Sequence, residues 1–145
     1  MKVTERAALT VTGIEVVAGF GDLRTAVPAA WTMLFSRCSE LPAPQDGVFV
    51  EMSTELGKGR YREVVGVAVE GNAYTPQGMR TVRFPAGRFL HHRHEGQVKD
   101  ITLGFEAMYA WAAETGLRLG PRKVDVGYRL DSLDGPHDLF IDIVE

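Results

Sequence analysis

The sequence has only one cysteine, Cys38, among its 145 residues. A single thiol can form neither a disulfide within the chain nor a Cys-rich zinc cluster, which is typical of a reducing, intracellular compartment. No apolar run approaches the ~20 residues that a membrane-spanning helix needs, and Glu5, Arg6 and Glu15 interrupt the N-terminal segment where a signal peptide would lie. We therefore expect a cytoplasmic protein that does not enter a membrane.

An excess of positive charge is also missing. The formal net charge is −3 at pH 7, and acidic and basic residues are interspersed. Without a basic stripe to neutralise phosphates, direct nucleic-acid binding is not expected. The glycines do not complete a dinucleotide fingerprint or a phosphate loop, and no Gly-x-Ser-x-Gly elbow occurs. The sequence thus predicts no nucleotide cofactor and no nucleophilic serine.

What the chain does contain is typical of a soluble globular protein. Hydrophobic residues make up 45% and charged residues 24% of the sequence. The length suits one domain with a single core. We therefore expect one domain over residues 1–145.

The first half of the chain predicts the order strand, helix, strand, strand. Residues 8–19 combine β-branched residues with a Gly break and predict a strand, which a Gly-Phe-Gly-Asp turn ends. A helix is predicted from Pro28, because a first turn tolerates proline and apolar residues follow at helical spacing as far as Leu41. The segments around Gly57-Lys58-Gly59 then predict a β-hairpin.

The second half repeats that order. Residues 81–94 predict one strand, and a helix is predicted from about Asp100 to Thr115, with Gly116 as its left-handed cap. Residues 120–130 and 137–145 predict a second hairpin around an Asp-Gly-Pro turn. The halves, roughly 1–74 and 75–145, each end on an apolar strand that closes with Val-Glu.

Two such units predict an α+β fold. The duplicated strand-helix-strand-strand units are expected to be related by a pseudo-twofold axis. Together they would form a curved antiparallel sheet with two helices on one face.

The stretch RFLHHRHEG places three histidines within four residues. On a strand, His92 and His94 share one face, and His91 lies on the other. A zinc ion needs a third or fourth ligand, and Glu95 falls on the wrong face or in the turn. The pattern favours a polar strand end at the rim of a cleft, and no metal site is predicted.

The central segment PQGMRTVRFPAGRFLHHRHEG, followed by a helix that ends near a Trp, is similar to the GyrI-like domains, also called AraC-type effector-binding domains. YREVVGVAVEG and HDLFIDIVE resemble the strand before that segment and the closing strand of the family. The order of elements covers nearly the whole chain. The resemblance implies a pseudo-twofold fold with a small-molecule cleft between its halves, lined by aromatic rings and one acidic side chain.

In the family that acid is usually a Glu two residues before a Tyr, in the strand after the second helix. Tyr128 matches the Tyr, but Val126 stands at the Glu position. Asp125 is adjacent, and strand alternation would place it on the opposite face unless a bulge re-aims it. Glu51, which shares a strand face with Phe49, is either a substitute acid in the cleft or a solvated carboxylate.

The candidate ligand-binding residues are the aromatic, acidic and imidazole side chains that the resemblance or strand alternation places near the cleft: Phe49, Glu51, Phe89, His91, Trp111 and Tyr128. Both tryptophans lie where a helix packs against a sheet. Trp111 is preferred over Trp31 for the cleft, since it resembles the Trp near the end of the family's second helix. A large ring can stack on a flat ligand or a delocalised cation.

Three functions remain open from the sequence. The first is a stand-alone binding domain for flat, apolar and in part cationic aromatic small molecules, of the multidrug type. The second, also implied by the resemblance, is a hydrolase of reactive compounds such as cyclopropane-bearing natural products, with Trp111 holding the substrate and Glu51 as general base. The third is a protein-interaction module, such as a gyrase modulator, with a protein partner.

Overall fold

The computed structural model describes residues 1–144, which form eight strands and two α-helices. Glu145, the last residue of the predicted closing strand, lies outside the described residues. The strands are β1 (Lys2–Arg6), β2 (Leu9–Gly19), β3 (Phe49–Gly57), β4 (Arg60–Ala68), β5 (Arg80–Phe84), β6 (Gly87–His94), β7 (Leu119–Tyr128) and β8 (His137–Ile143). The helices are α1 (Phe20–Ser36) and α2 (Ile101–Thr115). Short 3-10 turns lie at Cys38–Glu40, Gln45–Gly47 and Val98–Asp100.

All eight strands belong to one antiparallel sheet in the order β1-β6-β8-β7-β3-β4-β2-β5. The predicted α+β class is therefore confirmed. Both helices pack on the same face of the sheet, because Leu34 of α1 and Met108 of α2 belong to one core cluster with Val65 and Leu139 from the strands. The two hairpins, β3-β4 and β7-β8, meet at the centre of the sheet through the β3-β7 pair.

The edge strands exchange places between the two halves of the chain. β1, from the start of the first half, pairs with β6, and Lys2 lies opposite His91. β5, from the start of the second half, pairs with β2, and Leu9 lies opposite Phe84. Each half thus supplies the outermost strand of the other half.

Alternation along the strands divides the apolar residues between two faces. In β4, Val65 joins the core under the helices, whereas its neighbour Val64 packs on the opposite face with Met52 and Val124. All of these side chains are at least 96% buried. A strand that is buried on both faces has a nearly continuous apolar sequence, without alternating polar residues. This explains why most of the segment YREVVGVAVE lacks a polar face.

Helix α1 begins earlier than the sequence predicted. It starts at Phe20, so the residues of the expected Gly-Phe-Gly-Asp turn form its first turn. Asp22 lies in this turn, where its negative charge interacts favourably with the positive end of the helix dipole. Pro28 lies inside the helix rather than at its start. Its ring removes the hydrogen bond to the carbonyl of Arg24, and that residue is exposed, so water can satisfy the carbonyl. The helix also ends at Ser36, short of the predicted Leu41.

The segment 81–94 forms two strands, not the single strand predicted. β5 ends at Phe84 and β6 begins at Gly87, because Pro85 between them cannot donate a ladder hydrogen bond. β1 was not predicted as a strand. The second helix is confirmed, and Gly116 caps it with φ 72° and ψ 20°, in the left-handed region. Within residues 1–144, neither helix has the length and apolar character that crossing a membrane requires.

Candidate functional site

A cavity of about 850 Å³ opens between the two helices and the centre of the sheet. Its volume falls within the range of sites that bury drug-sized ligands. Side chains from α1, from the start of α2 and from the central strands β3, β4 and β7 line it, among them Phe20, Leu23, Arg24, Val27, Trp31, Glu51, Ser53, Tyr61, Glu63, Lys99, Ile101, Phe105, Lys123, Asp125 and Tyr128.

Helix α1 contributes a stripe of apolar residues to the cavity wall. Phe20, Leu23, Val27 and Trp31 are spaced three or four residues apart, which places them on one helical face. The stripe becomes visible in the sequence only once the helix is extended back to Phe20. The predicted start at Pro28 left three of its four members outside the predicted helix, and Trp111 was preferred over Trp31 for the cleft because of the family resemblance.

Three acidic side chains form the floor of the cavity. Glu51, Glu63 and Asp125 come from β3, β4 and β7, which are adjacent in the sheet. Glu51 lies directly opposite Asp125, and Ser53, two residues further along β3, lies opposite Glu63. Residues two apart on a strand share a face, so this register brings the three carboxyl groups together beneath the helices.

Glu51, which the sequence left as either a substitute acid in the cleft or a solvated carboxylate, lines the cavity. The indole Nε1 of Trp31 donates a hydrogen bond of 3.2 Å to its Oε1. Glu51 is partly exposed to the cavity, but its carboxyl group is largely removed from water, which disfavours the ionised form. Burial, and then the negative charges of Glu63 and Asp125, raise the pKa of Glu51.

Glu63 is the acidic residue of the cavity that the sequence interpretation missed. It is 5% exposed, and the hydroxyl of Ser53 donates to its Oε1 at 2.9 Å. Its other oxygen, Oε2, is buried and has no hydrogen-bond partner within the described chain. Burial raises the pKa of Glu63 to about 7, against the hydrogen bond from Ser53. The signal was available, since alternation from Val65 puts Glu63 on the core face of a largely apolar strand.

Asp125 belongs to a buried network with Tyr128 and His137. The Tyr128 hydroxyl donates to one carboxylate oxygen, and the other lies 2.7 Å from Nδ1 of His137. Nε2 of His137 faces the carbonyl of Leu133 at 2.8 Å, so this nitrogen carries a proton. Burial opposes charge on the imidazole, but the hydrogen bond with Asp125, the negative charges of Asp125 and Asp134 and the hydrogen bond with Leu133 together outweigh it and raise the pKa of His137. The carboxylate of Asp125 is thus hydrogen-bonded to His137 behind the cavity wall.

A bulge at Gly127 explains how Asp125 and Tyr128 share a face. Val126 pairs with Val50 and Tyr128 pairs with Phe49, so Gly127 is an extra residue in the ladder. Its φ of 154° suits glycine, and a Cβ there would lie 2.6 Å from the carbonyl oxygen of Pro136. The bulge that the sequence left open as a condition is therefore present. Val126, at the family's Glu position, packs on the opposite face of the sheet.

Aromatic rings form the inner wall beside the acids. The rings of Trp31 and Tyr128 are stacked at a tilt, with centroids 4.2 Å apart. Burial, Glu51 and Asp125 raise the pKa of Tyr128, so its hydroxyl stays protonated and can donate. Phe49, a predicted ligand-binding residue, lies in a second layer: it packs edge-on against Trp31 at 6.4 Å and is not among the residues that line the cavity.

Three other predicted ligand-binding residues lie away from the cavity. Phe89 and His91 point to the sheet face opposite the helices, where both contact Phe140, and His91 also bonds Asp138 at 2.8 Å. Trp111 is half-buried on α2 and packs against the core without lining the cavity. Alternation sorted the β6 residues correctly into two faces, but the face that carries Phe89 and His91 is not the face under the helices.

The other two histidines of RFLHHRHEG also take structural positions. His94 is 9% exposed, and its Nε2 lies 3.0 Å from the carbonyl of Gln97. His92 packs near Gly104 of α2. Among residues 1–144, no group of three or more His, Cys, Asp or Glu side chains is arranged to hold a metal ion.

The sequence matches the family model described as an integron-associated effector binding protein, over residues 2–126. No curated protein matches it. Among solved structures, the protein SAV2435 bound to tetraphenylphosphonium is similar with a TM-score of 0.77 and 11% identity, over 99% of this chain and 93% of that one. An integron cassette protein of Vibrio cholerae is similar with a TM-score of 0.70 and 10% identity, over 99% and 95%.

A third solved structure, described as a bacterial transcription regulation protein of Staphylococcus aureus, has a TM-score of 0.73 and 9% identity. The likeness covers 99% of this chain and 97% of that one. At these identities the likeness concerns the fold: the same arrangement of strands and helices recurs over the full described length.

Proposed function

The chain belongs to the family of integron-associated effector-binding proteins, and we propose that its effector is an aromatic organic cation bound in the cavity between the helices and the sheet. The family agrees with the GyrI-like resemblance of the sequence and supports small-molecule binding. We further propose that residues 1–145 act as one GyrI-like binding domain, and that the cavity takes several compounds of this kind.

The observation that carries the proposal is the acidic floor beneath aromatic walls. Glu51, Glu63 and Asp125 converge there, and Asp125 is hydrogen-bonded to His137 behind the cavity wall. Glu63 keeps a buried oxygen without a hydrogen-bond partner among residues 1–144. An unbalanced carboxyl group in a site of low dielectric attracts a cation more strongly than it would in water.

The walls suit a flat and delocalised cation better than a metal ion or a small ammonium. Trp31, Tyr128 and Tyr61 present ring faces or edges, and Leu23 and Val27 supply apolar surface. Aromatic faces attract cations by about 0.5–2 kcal/mol each. Apolar burial of the ligand body adds to this in proportion to its area. The solved SAV2435 structure holds tetraphenylphosphonium, which is also an aromatic organic cation, although its four rings are arranged tetrahedrally around phosphorus and do not lie in one plane.

Ligand binding can be tested with tetraphenylphosphonium and neutral triphenylphosphine oxide as a matched pair of probes. Trp111→Phe leaves Trp31 as the reporter tryptophan, because the chain has two tryptophans. We expect saturable quenching of Trp31 and a raised Tm with the cation, and weaker responses with the neutral compound. Glu51→Gln should weaken binding of the cation by about tenfold and leave the neutral compound unchanged.

Equal affinity for the two probes would contradict a cation site, and no response to either would favour a protein partner as the effector. Glu55→Gln serves as the control, because this substitution removes the same charge from a residue that is exposed on β3 outside the cavity. This variant should bind the cation as the unmodified protein does.

Hydrolysis of an electrophilic small molecule is a second candidate function, favoured by Glu63. A general base works best when its pKa lies near the operating pH, and the pKa of Glu63 is about 7. Burial and the charges of Glu63 and Asp125 raise the pKa of Glu51, the base suggested by the sequence, and Trp111 does not line the cavity. If the protein is a hydrolase, Glu63→Gln should abolish product formation measured by mass spectrometry. Undiminished turnover in that variant would remove Glu63 from the mechanism.

A further inference from the structure

The side chain of Lys123 ends in an aromatic enclosure at the wall of the cavity. Its ammonium lies 5.4 Å from the ring centroid of Tyr61, 5.3 Å from that of Phe105 and 5.8 Å from that of Tyr109. Each distance is within the ~6 Å over which a ring face attracts a cation. These three rings come from β4 and α2, so the enclosure bridges the sheet and the helix layer.

Lys123 also lies beside the acidic floor. It is two residues before Asp125 on β7, on the same strand face, and it pairs with Ser53, whose hydroxyl bonds Glu63. Its positive charge acts on both Glu51 and Glu63 and favours their ionised forms. The ammonium thus occupies a position in which a bound cation would be attracted by both the aromatic rings and the carboxylates.

No direct ion pair fixes Lys123 in that place. Within residues 1–144, its contacts are the three rings and longer-range attraction to the acids, without a hydrogen bond or salt bridge. Lysine is a compact and strongly hydrated charge on a flexible four-carbon stem. Such a group can move into water when a larger cation enters, but it gives up the three ring contacts when it does so. It gains less from apolar walls than a poorly hydrated aromatic cation gains.

We propose that Lys123 determines the specificity of the cavity, because its ammonium occupies the aromatic enclosure as an internal cation that an incoming ligand must displace. Two like charges in one small cavity repel, so a cation binds only if its apolar body gains enough to move the lysine outward. The cavity therefore selects bulky aromatic cations over small ammonium ions. This inference rests on the proposed function and names the residue that sets its selectivity.

Binding of tetraphenylphosphonium to three variants tests the inference. Lys123→Met keeps the length and apolar packing of the stem and removes the charge, so we expect affinity for the cation to rise about tenfold, while neutral triphenylphosphine oxide binds as before. Lys123→Arg keeps the charge and should bind the cation within about threefold of the unmodified protein. Lys2→Met removes a charge from the exposed edge strand and controls for net charge, with an effect of less than about twofold.

A second readout follows the lysine itself. The lysines are Lys2, Lys58, Lys99 and Lys123, so a chain carrying ¹³C-lysine gives few signals, and Lys123→Met assigns the relevant one. Ring currents should move the Lys123 side-chain methylene protons upfield in the free protein, and tetraphenylphosphonium should return them toward the positions of an exposed lysine. The two observations together would establish an internal cation that the ligand displaces.

Two results would overturn the inference while leaving the proposed function intact. In the first, the unmodified protein binds the cation and Lys123→Met binds it no more tightly. In the second, the NMR signal of the Lys123 side chain does not shift when the cation binds. Absence of cation binding by the unmodified protein and by every variant would instead overturn the proposed function itself, together with the inference built on it.

Discussion

At the scale of single residues, Glu63 carries a carboxyl group that changes charge near neutral pH. Its side chain is 5% exposed, and burial raises its pKa to about 7 from an ordinary value of 4.5. Between those two pH values the folded protein binds a proton that the unfolded chain has released. Folding is therefore favoured by Glu63 protonation at acidic pH, and this contribution is lost as the pH rises from about 4.5 toward about 7.

We expect Glu63→Gln to remove that pH dependence. The amide keeps an oxygen that can accept from Ser53 and never ionises. Urea unfolding should show the unmodified protein losing ~1–3 kcal/mol between pH 5 and pH 8 more than the variant does. Glu55→Gln, at an exposed position on the neighbouring strand, should keep the slope of the unmodified protein. Parallel pH profiles for all three proteins would show that Glu63 ionises in the folded state as it does in water.

The same group links ligand binding to pH in the opposite sense. A cation is attracted by the ionised carboxylate, and the acids facing the ligand are Glu51, Glu63 and Asp125, with Lys123 opposing them. Affinity for tetraphenylphosphonium should therefore fall as the pH is lowered below about 7, by up to about tenfold per pH unit, while the neutral probe binds equally at all pH values. Titrations at pH 6 and pH 8 would check this, and a cation affinity that rises on acidification would contradict it.

Individual site residues were predictable where the residue type and its strand face coincided. Glu51 was identified as a candidate in this way and Tyr128 through the family resemblance, and both line the cavity. Phe89 and His91 were assigned to the site although they lie on the opposite face of the sheet. Alternation separates residues into two sets, but it does not say which set lies under the helices, since both faces of this sheet carry buried apolar clusters.

At the scale of secondary-structure elements, the bulge in β7 decides which side chains reach the cavity. If Gly127 were paired as an ordinary strand residue and not bulged, Asp125 and Tyr128 would point to opposite faces. Val126, at the family's Glu position, would then share the face of Tyr128. From sequence alternation we could infer only that Asp125 needs a bulge to reach the face of Tyr128. The position of the bulge became known only from the strand pairing.

Gly127→Ala should be strongly destabilising. A Cβ would meet the Pro136 carbonyl oxygen at 2.6 Å and the His137 ring at 2.8 Å, and its φ of 154° is unfavourable for alanine. We expect a loss of about 2–4 kcal/mol in the free energy of unfolding, measured in urea. Gly71→Ala is the matched control, because Gly71 is exposed and no atom lies within 4 Å of its added Cβ. Comparable stability in the two variants would mean that the strand accommodates a side chain at the bulge.

Helix α1 shows why element boundaries were harder to predict than element types. The helix was recognised from Trp31, Leu34 and Phe35, yet its first two turns were taken as a loop. Proline at position 28 is common in a first turn, and this preference outweighed the apolar spacing from Phe20 to Val27. Val27 and Trp31 of that stripe pack against the core under the helices, and this packing stabilises the helix through the proline.

At the scale of the whole molecule, the fold class was predictable because each half repeats one order of strand and helix patterns. The exchange of β1 and β5 between the halves was not predictable, since β1 was not predicted as a strand and β5 was merged with β6. Local sequence patterns identify strands, whereas pairing between strands far apart in the chain depends on the complete sheet. The cavity depends on the same long-range arrangement, because its floor comes from β3, β4 and β7.

This exchange predicts that the two halves fold together or not at all. A cut between Asn72 and Ala73, in a segment without helix or strand, leaves each fragment without the edge strand that the other supplies and with its half of the common core exposed. Each fragment alone should give a poorly dispersed ¹H–¹⁵N spectrum, and an equimolar mixture should give a native spectrum and a 1:1 complex by size-exclusion chromatography. A dispersed spectrum from either fragment by itself would contradict the prediction.

The exchanged edge strands also have a consequence for synthesis on the ribosome. β5 emerges after β2 and can pair as soon as it appears, but β1 emerges first and must wait for β6, whose last residue is His94. Until β6 has been synthesised, β1 therefore lacks the strand with which it pairs. A substitution in Lys2–Arg6 would thus act on a pairing that forms only after residues up to His94 are made.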